Sequence, residues 1–430
     1  MTGDELARHT AAVLAATAPA PLLIACSGGS DSAALLHILA ALPEARRRGL
    51  RAIHVDHGIH ADSAVWSRHC RAACARLDVA LEIRTVNVTD DRGEGLEAAA
   101  RRARYAAFAE VLRDGETLVT AHHRDDQVET VLLKLLRGAG PAGLAGMRAA
   151  RPFARGTLWR PWLAVPKSAI RDWNAAHGLE TVEDPSNLAS RHVRNHLRHR
   201  VLPLLQEAFP QAAASILHSA TLCAVAADHI EREADAALAQ ITDDHSLDVT
   251  AWLALDDAVR AVALERWLHR AGLPAPTTAQ RRELERQARI SAPDRVPCTS
   301  WPRAEARLWR KRLYAMSPLP PPAPDWRVEW RGEAIDLPLG RLLPRPGVTV
   351  HPGLEVRMPT HGLRLRFADD AHTRNFNELL RMRGEPPWRR PFCPLLYRDG
   401  EPVAVPEVGV TLAGRDEFPD ASHVPLWRRD

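Results

Sequence analysis

Over the N-terminal part of the chain, short apolar runs alternate with segments whose apolar residues recur at helical spacing. The short runs predict strands, and the periodic segments predict amphipathic helices. Strand, helix and strand in succession form right-handed parallel units, so this alternation predicts a parallel α/β sheet. The predicted strands are residues 21–26, 51–58, 80–88 and 118–121, and the predicted helices are residues 4–16, a segment ending at Leu42, residues 63–77 and 95–112, and a helix starting at Asp125.

The pattern changes after residue 212. Residues 212–315 carry apolar residues at helical spacing and look all-helical, with no catalytic constellation. A stiff proline-rich stretch at residues 317–324 marks a boundary, beyond which short strands alternate with turns around one predicted helix at residues 375–383. We therefore expect three domains: α/β at residues 1–212, helical at residues 213–317 and small α+β at residues 318–430.

The composition is that of a globular protein, with 46% hydrophobic and 26% charged residues. The net charge is only +4, so a nucleic-acid site must be a local patch. The six cysteines include no CxxC pair, which indicates reduced thiols rather than a disulfide framework or metal site. No stretch is long enough for a membrane span, and acidic residues stand where a signal peptide carries positive charge. We expect a cytoplasmic protein.

The sequence SGGSDS lies between the first predicted strand and the helix after it. Glycine lets the backbone approach a ligand closely, and successive amides at a helix start bind phosphates. The pattern GxxxxGK(S/T) is absent, so the loop has no lysine of its own. The loop predicts a polyphosphate site that consists of Ser27, Gly28, Gly29, Ser30, Asp31 and Ser32.

The acid in this loop predicts a metal. A carboxylate beside phosphate is repulsive unless Mg²⁺ lies between them, so Asp31 is a candidate magnesium ligand. The ordinary alternative is a first-turn acid that the helix dipole favours.

Polar residues follow the second and fourth predicted strands, at the sheet edge where α/β proteins bind ligands. They are Asp56 and His57 after strand two, His122 and His123 after strand four, and Asp126 and Glu129 in the helix that follows. The last two acids are three residues apart and share a helix face, as a pair for Mg²⁺ or proton transfer would. The alternatives are a plain turn at His57 and capping by the first-turn acids, and capping explains Asp125 adequately.

Several motifs together resemble one family. In order, they are SGGSDS at residues 27–32, HVDHG at 54–58, ARRARY at 100–105, AHHRDDQVET at 121–130, LLRGAGPAGLAGM at 135–147, RPWL at 160–163, EDPSN at 183–187 and RNHLR at 194–198. This set resembles the tRNA(Ile)-lysidine synthetases, which are PP-loop enzymes of the N-type ATP pyrophosphatase class. The resemblance is strong over residues 20–210. A PPW segment at residues 386–388 resembles the family's C-terminal domain, but Asn375, Phe376 and Asn377 stand where the family often has lysines.

The resemblance implies a two-step reaction. ATP adenylylates the 2-carbonyl oxygen of the wobble cytidine in an isoleucine tRNA with a CAU anticodon, and the amine of free L-lysine then displaces AMP. It implies that residues 27–32 bind the phosphates of ATP, that Asp31 and Asp126 hold Mg²⁺, and that Asp56 and His57 lie at the ATP site. Arg104 is expected to hold either the α-phosphate or the developing charge. The base that deprotonates lysine is left open among His122, His123, Asp126 and Glu129.

Basic residues extend the implied site toward RNA. Residues 190–200 contain four arginines and three histidines. Such a run is usually a solvated face, but beside an ATP site in an RNA-modifying enzyme it predicts phosphate contact and salt-dependent affinity. The candidate tRNA-binding residues are Arg191, Arg194, Arg198, Arg389 and Arg390, whereas Trp388 is expected in the core.

Two other functions remain open at this point. One is a different adenylylating enzyme such as a tRNA thiolase, which the missing CxxC argues against. The other is a non-catalytic RNA-binding protein that uses the ATP loop as a sensor, which the intact acids and histidines argue against. We also expect a homodimer, and we expect no membrane partner.

Overall fold

A computed structural model describes residues 3–58, 63–89, 95–182, 193–243, 245–292, 295–323, 325–348 and 350–428. The chain forms two compact units, Met1–His229 and Ile230–Asp430. The three-domain division at residues 212 and 317 is finer than this and stays a prediction.

The first unit contains the predicted α/β sheet. Its strands are β1 Leu22–Ala25, β2 Leu50–Asp56, β3 Ala80–Thr85, β4 Thr117–Val119, β5 Ala150–Phe153 and β6 Gly156–Trp159. Its helices are α1 Gly3–Ala15, α2 Ser30–Ala41, α3 Pro43–Arg48, α4 Ser63–Arg76, α5 Leu96–Val111, α6 Arg124–Leu135, α7 Pro141–Leu144, α8 Lys167–Ala176, α9 Val193–His196 and α10 Leu202–Ala208, with a π-helical turn at Leu197–Val201 and the start of α11 Ala212–Ile241. The predicted strands and helices of this region are confirmed to within a few residues at their ends.

The strand order places the phosphate-type loop at a turning point of the sheet. The order is β3-β2-β1-β4-β6-β5, and all neighbours are parallel except the β5–β6 hairpin. The chain moves outward from β1 to β3 and then returns to β4 on the other side of β1. In open α/β sheets such a reversal opens a crevice at the carboxyl ends of the two strands, which is where ligands bind.

Burial on both faces explains why β1 is uniformly apolar. Leu22 and Ile24 pack into one core cluster with residues of α1, α2 and α8, whereas Leu23 packs with Phe108 of α5 in another. A parallel strand covered on both faces has no polar alternation, because successive side chains enter two different cores. The carboxyl end of β1 is therefore held rigidly from both sides.

The second unit combines helices with small antiparallel sheets. Its helices are the rest of α11, α12 Val249–Ala254, α13 Asp257–Arg270, α14 Thr278–Ile290 and α15 Phe376–Met382. Its strands are β7 Leu247–Asp248, β8 Cys298–Trp301, β9 Ala304–Trp309, β10 Arg312–Met316, β11 Arg327–Trp330, β12 Ile335–Asp336, β13 Arg341–Leu343, β14 Leu354–Arg357, β15 Arg364–Leu365, β16 Arg374–Asn375, β17 Leu395–Arg398, β18 Glu401–Val405, β19 Gly409–Val410 and β20 Leu426–Arg428. The sheets are β7-β10-β9-β8, β11-β14-β17-β18-β19, β12-β13-β20 and β15-β16.

The expectation that residues 212–315 contain helices alone is wrong. The helical region is present, but it ends in the sheet formed by β7 to β10. The buried positions of β9 include Ala304 and Ala306, and alanine is depleted in strands. The hairpin turns use Arg303, Arg310 and Lys311 at positive φ instead of the Asn-Gly or Asp-Gly pairs that mark hairpins in a sequence.

One helix of the described residues, α11, is long and apolar enough to cross a membrane. By that criterion the expectation that no stretch reaches this length is wrong. However, the helix carries Asp228 and Asp235, which form ion pairs with Arg148 and Arg266 respectively. Length and composition alone therefore do not indicate a membrane span here.

Candidate active site

The phosphate-type loop at residues 27–32 is closed around the Ser32 hydroxyl. Ser32 Oγ donates to the Gly29 carbonyl at 3.0 Å, accepts from the Ser27 amide at 3.1 Å, and lies 3.0 Å from Ser27 Oγ. Because α2 begins at Ser30, the amides of its first turn have no partner within the helix. The loop thus combines a braced backbone with amides and a helix N-terminus suited to phosphate.

Gly28 cannot be replaced without strain, and we expect Gly28→Ala to weaken ATP binding about 10-fold or more. Its φ is +82°, and a Cβ there would lie 3.2 Å from Cys70 Sγ. The loop must therefore shift away from Cys70, and its amides shift with it. Equilibrium binding of ATP measures the effect. Gly115→Ala is the matched control, because Gly115 also has positive φ but its Cβ would meet open space. Equal affinities for the two variants would contradict the prediction.

The second wall of the site follows β4. His123 is 4% exposed, and its Nε2 lies 3.7 Å from Asp31 Oδ2 and 3.5 Å from Asp126 Oδ2. The His123 amide also donates to Asp126 Oδ2 at 3.1 Å. Burial favours a higher pKa for Asp126, but His123, His122, this amide and Arg198 outweigh it and lower the pKa. The structure therefore brings Asp31, His123 and Asp126 together at one point, as the sequence predicted.

Glu129 lies deeper in the same wall and is held by two arginines. It is fully buried, and both of its oxygens accept from Arg198, at 2.6 and 3.0 Å. Arg194 Nε is 3.3 Å from Glu129 Oε2, and its Nη2 donates to Thr130 Oγ1 at 3.0 Å. Burial raises the pKa of Glu129, and the Arg198 guanidinium opposes that rise.

His122 is uncharged at neutral pH. Its Nδ1 is 2.9 Å from Thr120 Oγ1, and its side chain is half-buried. This burial lowers the pKa of His122 to about 4, with Asp126 opposing the shift and Arg160, Arg101 and Arg194 adding to it. A neutral imidazole at this position can accept a proton.

The depressed pKa makes stability depend on pH. Between pH 6.5 and pH 4 the unfolded chain binds a proton at His122 that the folded chain does not, so the free energy of unfolding falls as the pH falls. We expect the His122 contribution to be about 2 kcal/mol between pH 7 and pH 5. Urea denaturation of the wild type and His122→Gln at both pH values measures it. A variant that loses as much stability as the wild type would contradict the prediction.

The residues after β2 form a separate group with its own contacts. Arg104 Nε donates to His57 Nε2 at 3.1 Å. Asp56 accepts from the Gly58 amide at 2.9 Å and from the Ser67 hydroxyl of α4 at 3.3 Å. Asp56 therefore fixes the turn after β2 and the start of α4, and its contact with ATP stays a prediction.

A third wall, which the sequence did not predict, is the N-terminus of α8. The Lys167 ammonium group donates to Ser30 Oγ at 2.9 Å and contacts the Asp31 carboxylate. Asp125 accepts from the Lys167 amide at 2.9 Å, so it caps α8 instead of its own helix. Asn174, two turns further along α8, donates to the Ser30 carbonyl at 2.9 Å. In the sequence, Pro166 was the signal for this wall, because a proline at the start of a helix places the residue after it in the first helical turn.

The candidate tRNA-binding residues are distributed over both units. Arg191 and the EDPSN motif at residues 183–187 lie outside the described residues. Arg390 donates to the Glu385 carbonyl at 3.0 Å, and Arg389 lines a cavity of about 570 Å³. Trp388 is 7% exposed and packs against Trp309 and Tyr314, so its expected place in the core is confirmed.

The donor set fits magnesium in part. Among the residues that the structure describes, no cluster of three or more His, Cys, Asp or Glu side chains is arranged to hold a metal unaided. Mg²⁺ is usually bound through one or two carboxylates together with substrate phosphates, which does not require such a cluster. Asp31 and Asp126 meet that requirement, since both carboxylates lie within 4 Å of the same His123 nitrogen.

Comparisons with known proteins identify the family of the chain. Family models match residues 3–205 as a PP-loop domain, residues 247–314 as a TilS substrate binding domain and residues 354–426 as a TilS substrate C-terminal domain. The tRNA(Ile)-lysidine synthase of Xanthomonas axonopodis pv. citri is 44% identical, covering 91% of this chain and 90% of that protein. The tRNA(Ile)-lysidine synthase of Alkalilimnicola ehrlichii is 40% identical, covering 95% of this chain and 94% of that protein. Among solved structures, a U34-tRNA thiolase from Methanococcus maripaludis is 16% identical with a TM-score of 0.42, covering 50% of this chain and 76% of that one, a likeness too low to indicate function.

Proposed function

Because the chain belongs to the tRNA(Ile)-lysidine synthase family, we propose that it joins lysine to the 2-position of the wobble cytidine in the CAU anticodon of an isoleucine tRNA, using ATP and releasing AMP and pyrophosphate. The product pairs with A instead of G, so the codon read changes from AUG to AUA and the tRNA identity from methionine to isoleucine. The observation that carries the proposal is the meeting of Asp31, His123 and Asp126 beside the phosphate-type loop.

The first step is attack at the α-phosphorus of ATP. The 2-carbonyl oxygen of cytidine bonds to this phosphorus, the bond to the bridging oxygen breaks, and pyrophosphate leaves with the electron pair. Residues 27–32 and the start of α2 bind the phosphates, and Arg104 contacts the α-phosphate. Asp31 and Asp126 would hold Mg²⁺, which would neutralise phosphate charge.

The second step needs a neutral amine. The ε-amine of lysine attacks carbon 2, AMP leaves, and the amine loses a proton to a base. The ordinary lysine pKa is near 10.4, so a group that accepts this proton is required. Of the four candidate bases, His122 is unprotonated at neutral pH, because its pKa is about 4. The same low pKa makes it a weak base, so it does not by itself single out His122. Glu129 is less suited, because Arg198 and Arg194 already occupy its oxygens.

The proposed tRNA contacts are arginines of both units. We place the anticodon near the first unit, where Arg194 and Arg198 have partly exposed side chains, and further tRNA contacts at Arg389 and Arg390 of the second unit. The arginines that hold Glu129 can contact phosphate only with their remaining N–H groups. A cytoplasmic location and a homodimer stay predictions as well.

Lysine transfer tests the proposal directly. The protein is incubated with ATP, radiolabelled lysine and isoleucine tRNA bearing CAU, and label in the RNA is measured. Methionine tRNA with the same anticodon is the control and should stay unlabelled. No lysine in either RNA, with ATP bound normally, would overturn the proposal and favour another PP-loop reaction.

A further inference from the structure

A lysine reaches the phosphate-type loop from a distant part of the chain. Lys167 is the first residue of α8, and its ammonium group contacts the side chains of Ser30 and Asp31. The loop itself has serines, glycines and an aspartate but no cation. Lys167 is thus the charge that the loop sequence lacks, and its side chain is 40% exposed, so a ligand on the loop can reach it.

The surrounding hydrogen bonds fix the backbone position of Lys167. The Lys167 amide donates to Asp125 of α6 at 2.9 Å, and the Arg124 amide donates to the Val165 carbonyl at 2.9 Å. Asn174 of α8 holds the Ser30 carbonyl from the other side. The backbone of α8 is therefore joined both to α6 and to the loop, while the long Lys167 side chain keeps the freedom to follow a phosphate.

The choice of residue type is also informative. The chain contains 57 lysine and arginine residues, yet lysine occurs only at Lys134, Lys167 and Lys311. A guanidinium presents a planar fork, whereas an ammonium is a compact point charge on a flexible stem. A compact charge suits a group that exchanges the Ser30 and Asp31 oxygens for phosphate oxygens.

We propose that Lys167 contacts the β- and γ-phosphates of ATP and stabilises the charge that develops on pyrophosphate as the bond to the α-phosphorus breaks. The ammonium group keeps its proton and donates hydrogen bonds to phosphate oxygens, while the electron pair goes to the bridging oxygen. The proposal rests on the ATP-using half of the proposed function and not on lysine or tRNA.

Nucleotide binding separates this role from a structural one. We expect Lys167→Gln to bind α,β-methylene-ATP, which cannot be cleaved, about 10- to 100-fold more weakly, with AMP binding unchanged. Lys167→Arg should recover part of the affinity, and Lys134→Gln, an exposed lysine on α6, should behave as the wild type. If Lys167 only braced the loop, AMP and the ATP analogue would weaken together. That result, or normal binding of both, would overturn the proposal.

Chemical labelling gives a readout on the unmodified protein. The three lysines are acetylated with and without α,β-methylene-ATP, and each is followed by mass spectrometry. We expect the analogue to slow labelling at Lys167, with AMP giving no protection and Lys134 and Lys311 unchanged. Equal labelling of Lys167 in all conditions would overturn the proposal. If Lys167 is protected but the wild type transfers no lysine to tRNA, the proposed function fails while this inference stands.

Discussion

Asp31→Asn is expected to lower pyrophosphate release about 100- to 1000-fold at saturating ATP, lysine and tRNA. The asparagine keeps the size of the side chain and one acceptor oxygen for Lys167, so the loop should retain its shape. What it removes is the negative charge between Lys167 and His123, and with it a carboxylate for magnesium. A coupled assay of pyrophosphate release measures the effect.

The control for this variant is Asp172→Asn. Asp172 lies on the exposed face of α8, with 62% of its side chain accessible, and forms an ion pair with the neighbouring Arg171. Its release of pyrophosphate should match the wild type. Near-normal turnover by Asp31→Asn would contradict the magnesium-binding role of Asp31. An equal loss of turnover in Asp172→Asn would show that the effect is not specific to the carboxylate of the loop.

Glu129→Gln should lower the free energy of unfolding of the first unit by about 3 kcal/mol. The fully buried Glu129 carboxylate faces Arg198 and Arg194, and the neutral amide leaves both guanidiniums without their counter-charge. Lysine transfer should fall as well, because Arg198 also contacts Asp126 at 3.3 Å and would be free to move onto it. Urea denaturation followed by hydrogen exchange in α6 measures the stability change locally.

An exposed pair of the same type provides the comparison. Glu283 accepts two hydrogen bonds from Arg286 on the surface of α14, at 2.6 and 2.8 Å. Because exposed ion pairs contribute little, Glu283→Gln should leave the free energy of unfolding close to that of the wild type. Similar losses for the two variants would contradict the role given to burial at Glu129.

The sequence predicted the sheet and two walls of the site for clear reasons. Apolar runs buried on both faces mark parallel strands, and the carboxyl ends of β1 and β4 adjoin, so residues after those strands must meet. His123 and Asp126 accordingly lie beside Asp31. The family resemblance drawn from the motifs is confirmed by relatives at 44% and 40% identity over most of the chain.

The third wall was not predictable in the same way. Lys167 lies 136 residues from Asp31 in the chain, and no local pattern connects a lysine after Pro166 to the loop. Asp125 fits capping of its own helix equally well in sequence, yet it caps α8. The same limit applies to β9, where buried alanines hide the alternation of a strand. Each miss depends on a long-range contact overriding what the neighbouring residues favour.

The contacts of α8 and Arg198 also determine when, during synthesis, the enzyme can become active. The loop emerges early, but Asn174 reaches Ser30 from 144 residues later and Arg198 reaches Glu129 from 69 residues later. Contacts this distant in sequence form late, because the intervening chain must be made and folded first. A nascent or truncated chain that ends before Arg198 would carry the ATP-binding loop without the arginine that holds Glu129. The complete site therefore arises only after this segment has left the ribosome.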